Sequence, residues 1–167
     1  MLYSPIVNCF LRLTGYTYTN LGRLFMRLFV GIMLLQFGIR HLVNFSLLAD
    51  TFPAVFGMTS TTSLVLMIII ETVCSLLIMV GFLTRLSTIP PIIAMCCAEY
   101  YILHDMVPNL PVYGLDSTDP GYLPIMFIGI YIWMLIAGPG KISLDYFISL
   151  YIINARGKDE EEELEDV

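Results

Sequence analysis

Residues 21–43 of this chain read LGRLFMRLFVGIMLLQFGIRHLV, and this run decides the fold. A helix needs about 20 mainly apolar residues to cross the hydrocarbon core of a bilayer. The run is too long for the apolar core of a signal peptide and has no A-x-A cleavage site, so we expect it to stay in the protein. It therefore predicts a membrane-spanning helix.

The composition of the whole chain is that of an integral membrane protein. Of its 167 residues, 57% are hydrophobic and 13% are charged, whereas a soluble domain has about 25% charged residues. The mean hydropathy is +0.81. The formal charge of −6 arises in the acidic tail KDEEEELEDV (158–167). The few basic residues are scattered, which excludes a nucleic-acid-binding surface.

Three more apolar segments predict spans at about 62–82, 90–104 and 121–137. We expect Pro90 and Pro91 to open the third span, because the first turn of a helix does not need the N–H group that proline lacks. The sequence Gly-Pro-Gly at 138–140 ends the fourth span, since it cannot continue a helix.

After this break, Ser143 can cap a further helix from Leu144 to Asn154. This helix is too short to cross a bilayer and is expected at the membrane interface or against the bundle. The predicted fold class is all-α: a polytopic membrane protein with a four-transmembrane-helix bundle and a short interfacial helix after the fourth span.

The chain divides into three predicted parts. Residues 1–20 form an N-terminal cytoplasmic or interfacial segment, residues 21–154 the four-helix transmembrane domain, and residues 155–167 an acidic, disordered tail. With four spans, both termini and the turn after residue 82 share one side. That side carries seven of the eight basic residues, which places it in the cytoplasm. They are Arg12, Arg23, Arg27, Arg85, Lys141, Arg156 and Lys158, against Arg40 opposite.

Three ionisable residues fall inside predicted spans: Arg40, Glu71 and Glu99. Each is separated from Arg27 or Arg85, at the expected inner surface, by thirteen or fourteen residues, or roughly 20 Å of helix. All three therefore lie at one depth. Because a charge in the bilayer core costs on the order of 3 kcal/mol, this set predicts a functional site in the outer half of the bundle.

The predicted site pairs acid–base groups with groups that contact a ligand. Glu71 and Glu99 are the candidate catalytic residues, because a carboxyl group that Arg40 does not balance must hold a proton or face a histidine. The candidate substrate-binding residues are Arg40, Gln36, His41, Tyr100 and His104. The alternative is that Arg40 and Glu71 only fix the packing of two helices.

No metal site is predicted, because the four cysteines show no CxxC spacing. Cys74 and Cys96 could form a redox pair only if their backbones approach closely, and otherwise the cysteines are small apolar residues. Haem ligation by His41 and His104 is not expected, since histidines near helix ends are usually interfacial. The sequence does not identify a cofactor, and a quinone is the candidate.

The ordered segments RLFMRLFVGIMLLQFGIRHL (23–42), ETVCSLLIMVGFLTR (71–85) and AGPGKISLD (137–145) resemble the DoxX family of small four-helix membrane proteins. The resemblance covers most of residues 23–147. The family is named for its similarity to the small membrane subunit of thiosulfate:quinone oxidoreductase. Its motif positions in this chain are Arg27, Gly38, Arg40, Glu71, Arg85, Gly138, Pro139, Gly140, Ser143 and Asp145.

The resemblance implies a protein of the bacterial cytoplasmic membrane and a redox-associated accessory subunit. It would handle a quinone or a similar small amphipathic molecule beside a partner oxidoreductase. Arg40 would orient an oxygen atom, and Glu71 or Glu99 would exchange the proton. The alternative is a structural or assembly protein that docks a partner. A small transporter ranks last, because only the fourth span carries a Gly-Pro-Gly break. Enzymatic activity and oligomeric state stay open.

Overall fold

The computed structural model describes residues 19–103 and 122–156, and every regular element in these residues is helical. Two stretches have the wider π-helical repeat: π1 (Ile70–Cys74) and π2 (Ala98–Leu103). The α-helices are α1 (Thr19–Val43), α2 (Phe45–Leu48), α3 (Ser60–Ile69), α4 (Ser75–Val80), α5 (Thr84–Cys97), α6 (Tyr122–Ala137) and α7 (Leu144–Arg156). The predictions for residues 1–18, for His104 and for the acidic tail from residue 157 lie outside the described residues.

Two of the described helices are long and apolar enough to cross a membrane. They are α1 and the continuous helix Ser60–Val80, which α3, π1 and α4 form together, with mean hydropathies of 1.5 and 2.6. Both agree with the predicted spans to within two residues. Helix α6 ends at Ala137 as predicted, because Gly138 adopts a φ of +70° that stops the helical repeat.

The predicted start of the third span is wrong. Helix α5 begins at Thr84 and contains Pro90 and Pro91 in its interior. An earlier start is stabilised from outside the helix, because the carboxylate of Asp145 accepts hydrogen bonds from the N–H groups of Leu83 and Thr84 at 2.6 and 2.9 Å. These are N–H groups that a helix leaves without an internal partner. With this cap, α5 begins at Thr84, six residues before Pro90.

The exposed surface of the helices is rich in large apolar side chains, and several charged side chains are buried. Large apolar side chains such as Phe25, Leu42 and Val43 are exposed on α1, and others cover the outside of Ser60–Val80. The buried set includes Arg27, Glu71 and Glu99. A surface rich in apolar side chains around a partly polar interior is the arrangement that a lipid environment favours.

A compact apolar cluster joins the helices below the polar layer. Its buried members are Val30, Leu34, Cys74, Ile78, Met95, Phe127, Tyr131 and Met134. Helix α1 packs mainly on π1 and α4, while α5 packs mainly on α6. In this packing π1 also contacts α5, and π2 contacts α6.

At the opposite end of the bundle, the segment after the Gly-Pro-Gly break ties three helix ends together. Ser143 caps α7 as predicted, since the N–H group of Tyr146 donates to its hydroxyl at 3.2 Å. Arg27 is 2% exposed and donates to the carbonyl oxygen of Ile142. The N–H group of Asp145 donates to the carbonyl oxygen of Gly81 at 2.9 Å. Arg27 is therefore a buried structural residue.

Candidate functional site

The site is centred on a direct contact between His41 and Glu71. Nδ1 of His41 lies 2.6 Å from Oε2 of Glu71, and this contact joins the end of α1 to π1. Glu71 is 1% exposed, and His41 is partly buried. A contact this short between an imidazole nitrogen and a carboxyl oxygen contains a proton. The pair can therefore store one proton away from bulk water.

The local backbone of Glu71 is unusual. It lies in π1, where Oγ1 of Thr72 donates to the carbonyl oxygen of Ile68 at 2.6 Å and Oγ of Ser75 donates to that of Thr72 at 2.7 Å. Hydroxyl groups that bond back to the preceding turn compete with the helical ladder and bend it. Single π turns inside α-helices are frequent at functional sites.

His41 can contact Glu71 because α1 packs closely against π1. Gly38 is buried, and a Cβ atom added to it would lie 2.8 Å from Cγ2 of Thr72 and 3.1 Å from Cβ of Glu71. A larger residue at position 38 would force the two helices apart. The glycine thus places His41, three residues later on the same helix, within reach of the carboxyl group.

The helical stretch 84–103, which α5 and π2 form together, carries a second buried carboxyl group. Glu99 is 0% exposed and lies in the first turn of π2. The two glutamates predicted to share one depth are therefore both buried, and each lies in a π-helical turn. π-Helices make up well under 1% of residues in soluble proteins, so two π-helical turns that each hold a buried acid are unusual.

Tyr131 brings a phenol to the same layer from α6. Its side chain is fully buried, and its hydroxyl has no hydrogen-bond partner among the described residues. It is close enough to Glu71 and Cys74 for electrostatic interaction with both. A buried hydroxyl without a partner costs about 1–3 kcal/mol, so it is a group that a bound ligand can satisfy.

An apolar pocket adjoins the pair between the second and third helices. Its volume is about 110 Å³, and its walls include Phe52, Met67, Ile70 and Cys97. The ring of Phe52 meets the ring of His41 edge to face, with centroids 5.7 Å apart. Phe52 therefore belongs both to the wall of the pocket and to the surroundings of His41, and the pocket can accept an apolar ring or chain.

The structure brings together only part of the predicted site. Glu71 and Glu99 are buried and His41 is partly buried, whereas the side chains of Arg40 and Gln36 are exposed. Tyr100 is 66% exposed. The expectation that Arg40 shares the buried layer is wrong, because α1 turns His41 toward Glu71 and the preceding residue faces outward. The ligand-binding roles of these residues stay predictions.

Sequence reasoning missed Tyr131, Phe52 and the two π-helical turns. No pattern in the sequence singled out one tyrosine among ten or one phenylalanine among ten. The hydroxyl pair at positions 72 and 75 was the available signal for π1. Cys74, Cys96 and Cys97 are free thiols. In the described part of the chain, no group of three His, Cys, Asp or Glu residues is placed to hold a metal ion.

Comparison with known proteins agrees with the residues quoted from the sequence. The DoxX family model matches residues 22–105, just over half of the chain, and this range includes His41, both π-helical turns and both buried glutamates. Comparison with curated proteins gives no match, and neither does comparison with solved structures. The family match and the apolar helices together make this a membrane protein, and the chain belongs to the DoxX family.

Proposed function

We propose that this protein binds a quinone, or a similar small amphipathic molecule, as a redox-associated accessory subunit of the bacterial cytoplasmic membrane. The observation that carries the proposal is the contact between His41 and Glu71 beside an apolar pocket. The partner is an oxidoreductase that supplies electrons at the membrane.

The proposed topology is a four-span bundle with both termini in the cytoplasm. The helical stretch 84–103 reaches about 30 Å, and α6, with 16 residues, reaches about 24 Å. The first length matches a hydrocarbon core of about 30 Å, and the described part of α6 is about 6 Å shorter than that core. Arg23, Arg85 and Lys141 lie at one end of the bundle and Arg40 at the other, so the positive-inside rule puts the first three in the cytoplasm.

The chemistry of a quinone fits an acid–base pair in a dry layer. Reduction to the quinol takes two electrons from the partner oxidoreductase and two protons, one on each carbonyl oxygen. The pair of His41 and Glu71 supplies one proton, and Glu99, buried in the neighbouring helix, supplies the other. Proton transfer needs a donor within hydrogen-bond reach of the accepting oxygen, and the hydroxyl of Tyr131 can orient that oxygen.

The apolar pocket suits the part of the ligand that is not reduced. Its walls are almost wholly apolar, and one wall residue, Phe52, also contacts His41. Pockets that bind small molecules are typically apolar with a few placed polar groups. A quinone ring with its carbonyl oxygen toward the pair and its tail toward the pocket satisfies both requirements.

The experiment compares the quinone that co-purifies with the wild-type protein, Glu71→Gln and Asp50→Asn. Asp50 is an exposed acid, so Asp50→Asn is a matched control. Quinone in the lipid extract is quantified by absorption after chromatography. We expect equal amounts with the wild type and the control, and at least a tenfold loss in Glu71→Gln, about 1.4 kcal/mol. No quinone with the wild type, or equal amounts in all three, contradicts the proposal.

A second candidate function is that of an assembly protein whose buried polar groups only fix helix packing. It is favoured by the close approach of Gly38 to Thr72, which shows how tightly the helices joined by His41 and Glu71 are packed. In that case Glu71→Gln lowers stability but leaves electron transfer by the partner unchanged. The quinone proposal expects the reverse: partner assembly is retained and electron transfer is lost.

A further inference from the structure

Basic side chains from three elements meet in a groove at the end of the bundle opposite His41. Arg23 comes from α1, Arg85 from α5 and Lys141 from the segment that follows the Gly-Pro-Gly break. The groove has a volume of about 680 Å³, within the range of small-molecule sites. Its described walls carry three cationic residues and one acidic residue, a net charge of +2.

The two glycines of the break make room for the two arginines. A Cβ atom added to Gly138 would lie 3.2 Å from Nη2 of Arg85, and one added to Gly140 would lie 3.1 Å from Cδ of Arg23. Both glycines have positive φ angles of +70° and +77°. The backbone N–H group of Lys141 donates to Oδ1 of Asn20 at 3.2 Å, which fixes the third basic residue relative to α1.

The one acid among the described residues of the groove is hydrogen-bonded at the start of α5. Oδ1 of Asp145 accepts from the N–H group of Leu83, and Oδ2 accepts from the N–H group and the hydroxyl of Thr84. The carboxylate of Asp145 therefore caps the start of α5. With a net charge of +2 on its described walls, the groove favours an anion with several acceptor oxygens.

The helix next to the groove exposes an apolar stripe. Tyr146 and Ser149 of α7 line the groove, and the adjoining face of the same helix carries apolar side chains at the spacing of one helical face. These exposed residues are Leu144, Phe147, Ile148, Tyr151 and Ile152. A cationic groove beside an exposed apolar stripe matches a ligand with an anionic head and apolar chains.

We propose that this groove binds the headgroup phosphate of an anionic phospholipid, with the acyl chains lying along the apolar stripe of α7. Arg23 and Arg85 approach the phosphate oxygens, and Lys141 completes the site above the ring of Tyr146, whose centroid is 5.9 Å from its Nζ. Basic pockets at the cytoplasmic ends of membrane helices bind anionic headgroups in this way. The lipid would fix α7 at the membrane surface.

The test is competitive lipid binding to the detergent-solubilised full chain, read by native mass spectrometry. Phosphatidylglycerol and phosphatidylcholine with identical acyl chains are offered in equal amounts. We expect a preference for phosphatidylglycerol that falls about fivefold in Lys141→Gln and about fivefold in Arg23→Gln, the size expected for one basic residue at a membrane surface. Arg40→Gln, at the other end of α1, is the matched control and should keep the wild-type preference.

Three results would overturn the proposal: no preference in the wild type, an equal fall in Arg40→Gln, or a preference abolished by millimolar inorganic phosphate. The last would make the groove a site for soluble anions. Lys141 is exposed, so Lys141→Gln carries the test if Arg23→Gln does not fold. The outcome is independent of the quinone proposal, because Glu71→Gln should leave the lipid preference unchanged.

Discussion

Replacing Gly81 by alanine should lower the free energy of unfolding by about 4 kcal/mol. Gly81 has a φ of +78°, and an alanine in the left-handed region costs about 1–2 kcal/mol. The added Cβ atom would also overlap Nη1 of Arg27 and lie 2.7 Å from Cβ of Ser143. The guanidinium group must then move and lose its hydrogen bond to Ile142, which is worth about 1.5–3 kcal/mol for a charged donor.

Gly57→Ala is the matched control for the backbone part of this effect. Gly57 has a similar φ of +72°, but an added Cβ atom would have no neighbour within 4 Å. Its cost should therefore be the conformational 1–2 kcal/mol alone, as a rough value. Both variants are unfolded by titration with sodium dodecyl sulfate in mixed micelles, with helical content as the signal. If Gly81→Ala costs no more than Gly57→Ala, Arg27 does not pack against the glycine as described.

Three further substitutions test other contacts. Asp145→Asn should cost about 2–3 kcal/mol of unfolding free energy, because charge-assisted hydrogen bonds to the start of α5 are lost, whereas exposed Asp50→Asn should be neutral in the same titration. Gly38→Ala should cost about 1–3 kcal/mol through overpacking. Thr72→Ser, which removes the methyl group facing Gly38, should recover at least half of that loss in a double-mutant cycle; independent effects would argue against close packing there. Tyr131→Phe should raise the thermal unfolding midpoint of protein from which bound lipid has been removed, because it removes a buried hydroxyl without a described hydrogen-bond partner. A lower midpoint would mean that the hydroxyl forms a hydrogen bond in the folded protein.

The helices of this chain could be predicted from the sequence because length and hydropathy determine which segments cross a membrane. The first and second spans agree with α1 and Ser60–Val80. The start of the third helix could not be predicted, since the group that caps it belongs to Asp145, more than sixty residues later. Local rules for proline describe the helix by itself and contain no information about a cap that comes from a distant segment.

The two candidate glutamates are buried, but the face of α1 that points inward could not be predicted from the sequence. Residue counting predicts one depth for Arg40, Glu71 and Glu99, and both glutamates are buried. Their common depth stays a prediction. Which face of α1 points inward could not be read in the same way, because a helix surrounded by lipid is apolar on its outer face as well. Adjacent residues point about 100° apart, so His41 faces inward in place of Arg40 when α1 is rotated by just over a quarter turn.

The measurement that bears most directly on the proposed role of the buried pair is an infrared difference spectrum recorded while bound quinone is reduced electrochemically. A carboxylic acid and a carboxylate absorb at different frequencies, so loss of a proton from Glu71 appears as the loss of a carbonyl band. We expect this band in the wild type and in Asp50→Asn, and its absence in Glu71→Gln. The same band in Glu71→Gln, at full quinone occupancy, would contradict proton transfer from the pair of His41 and Glu71.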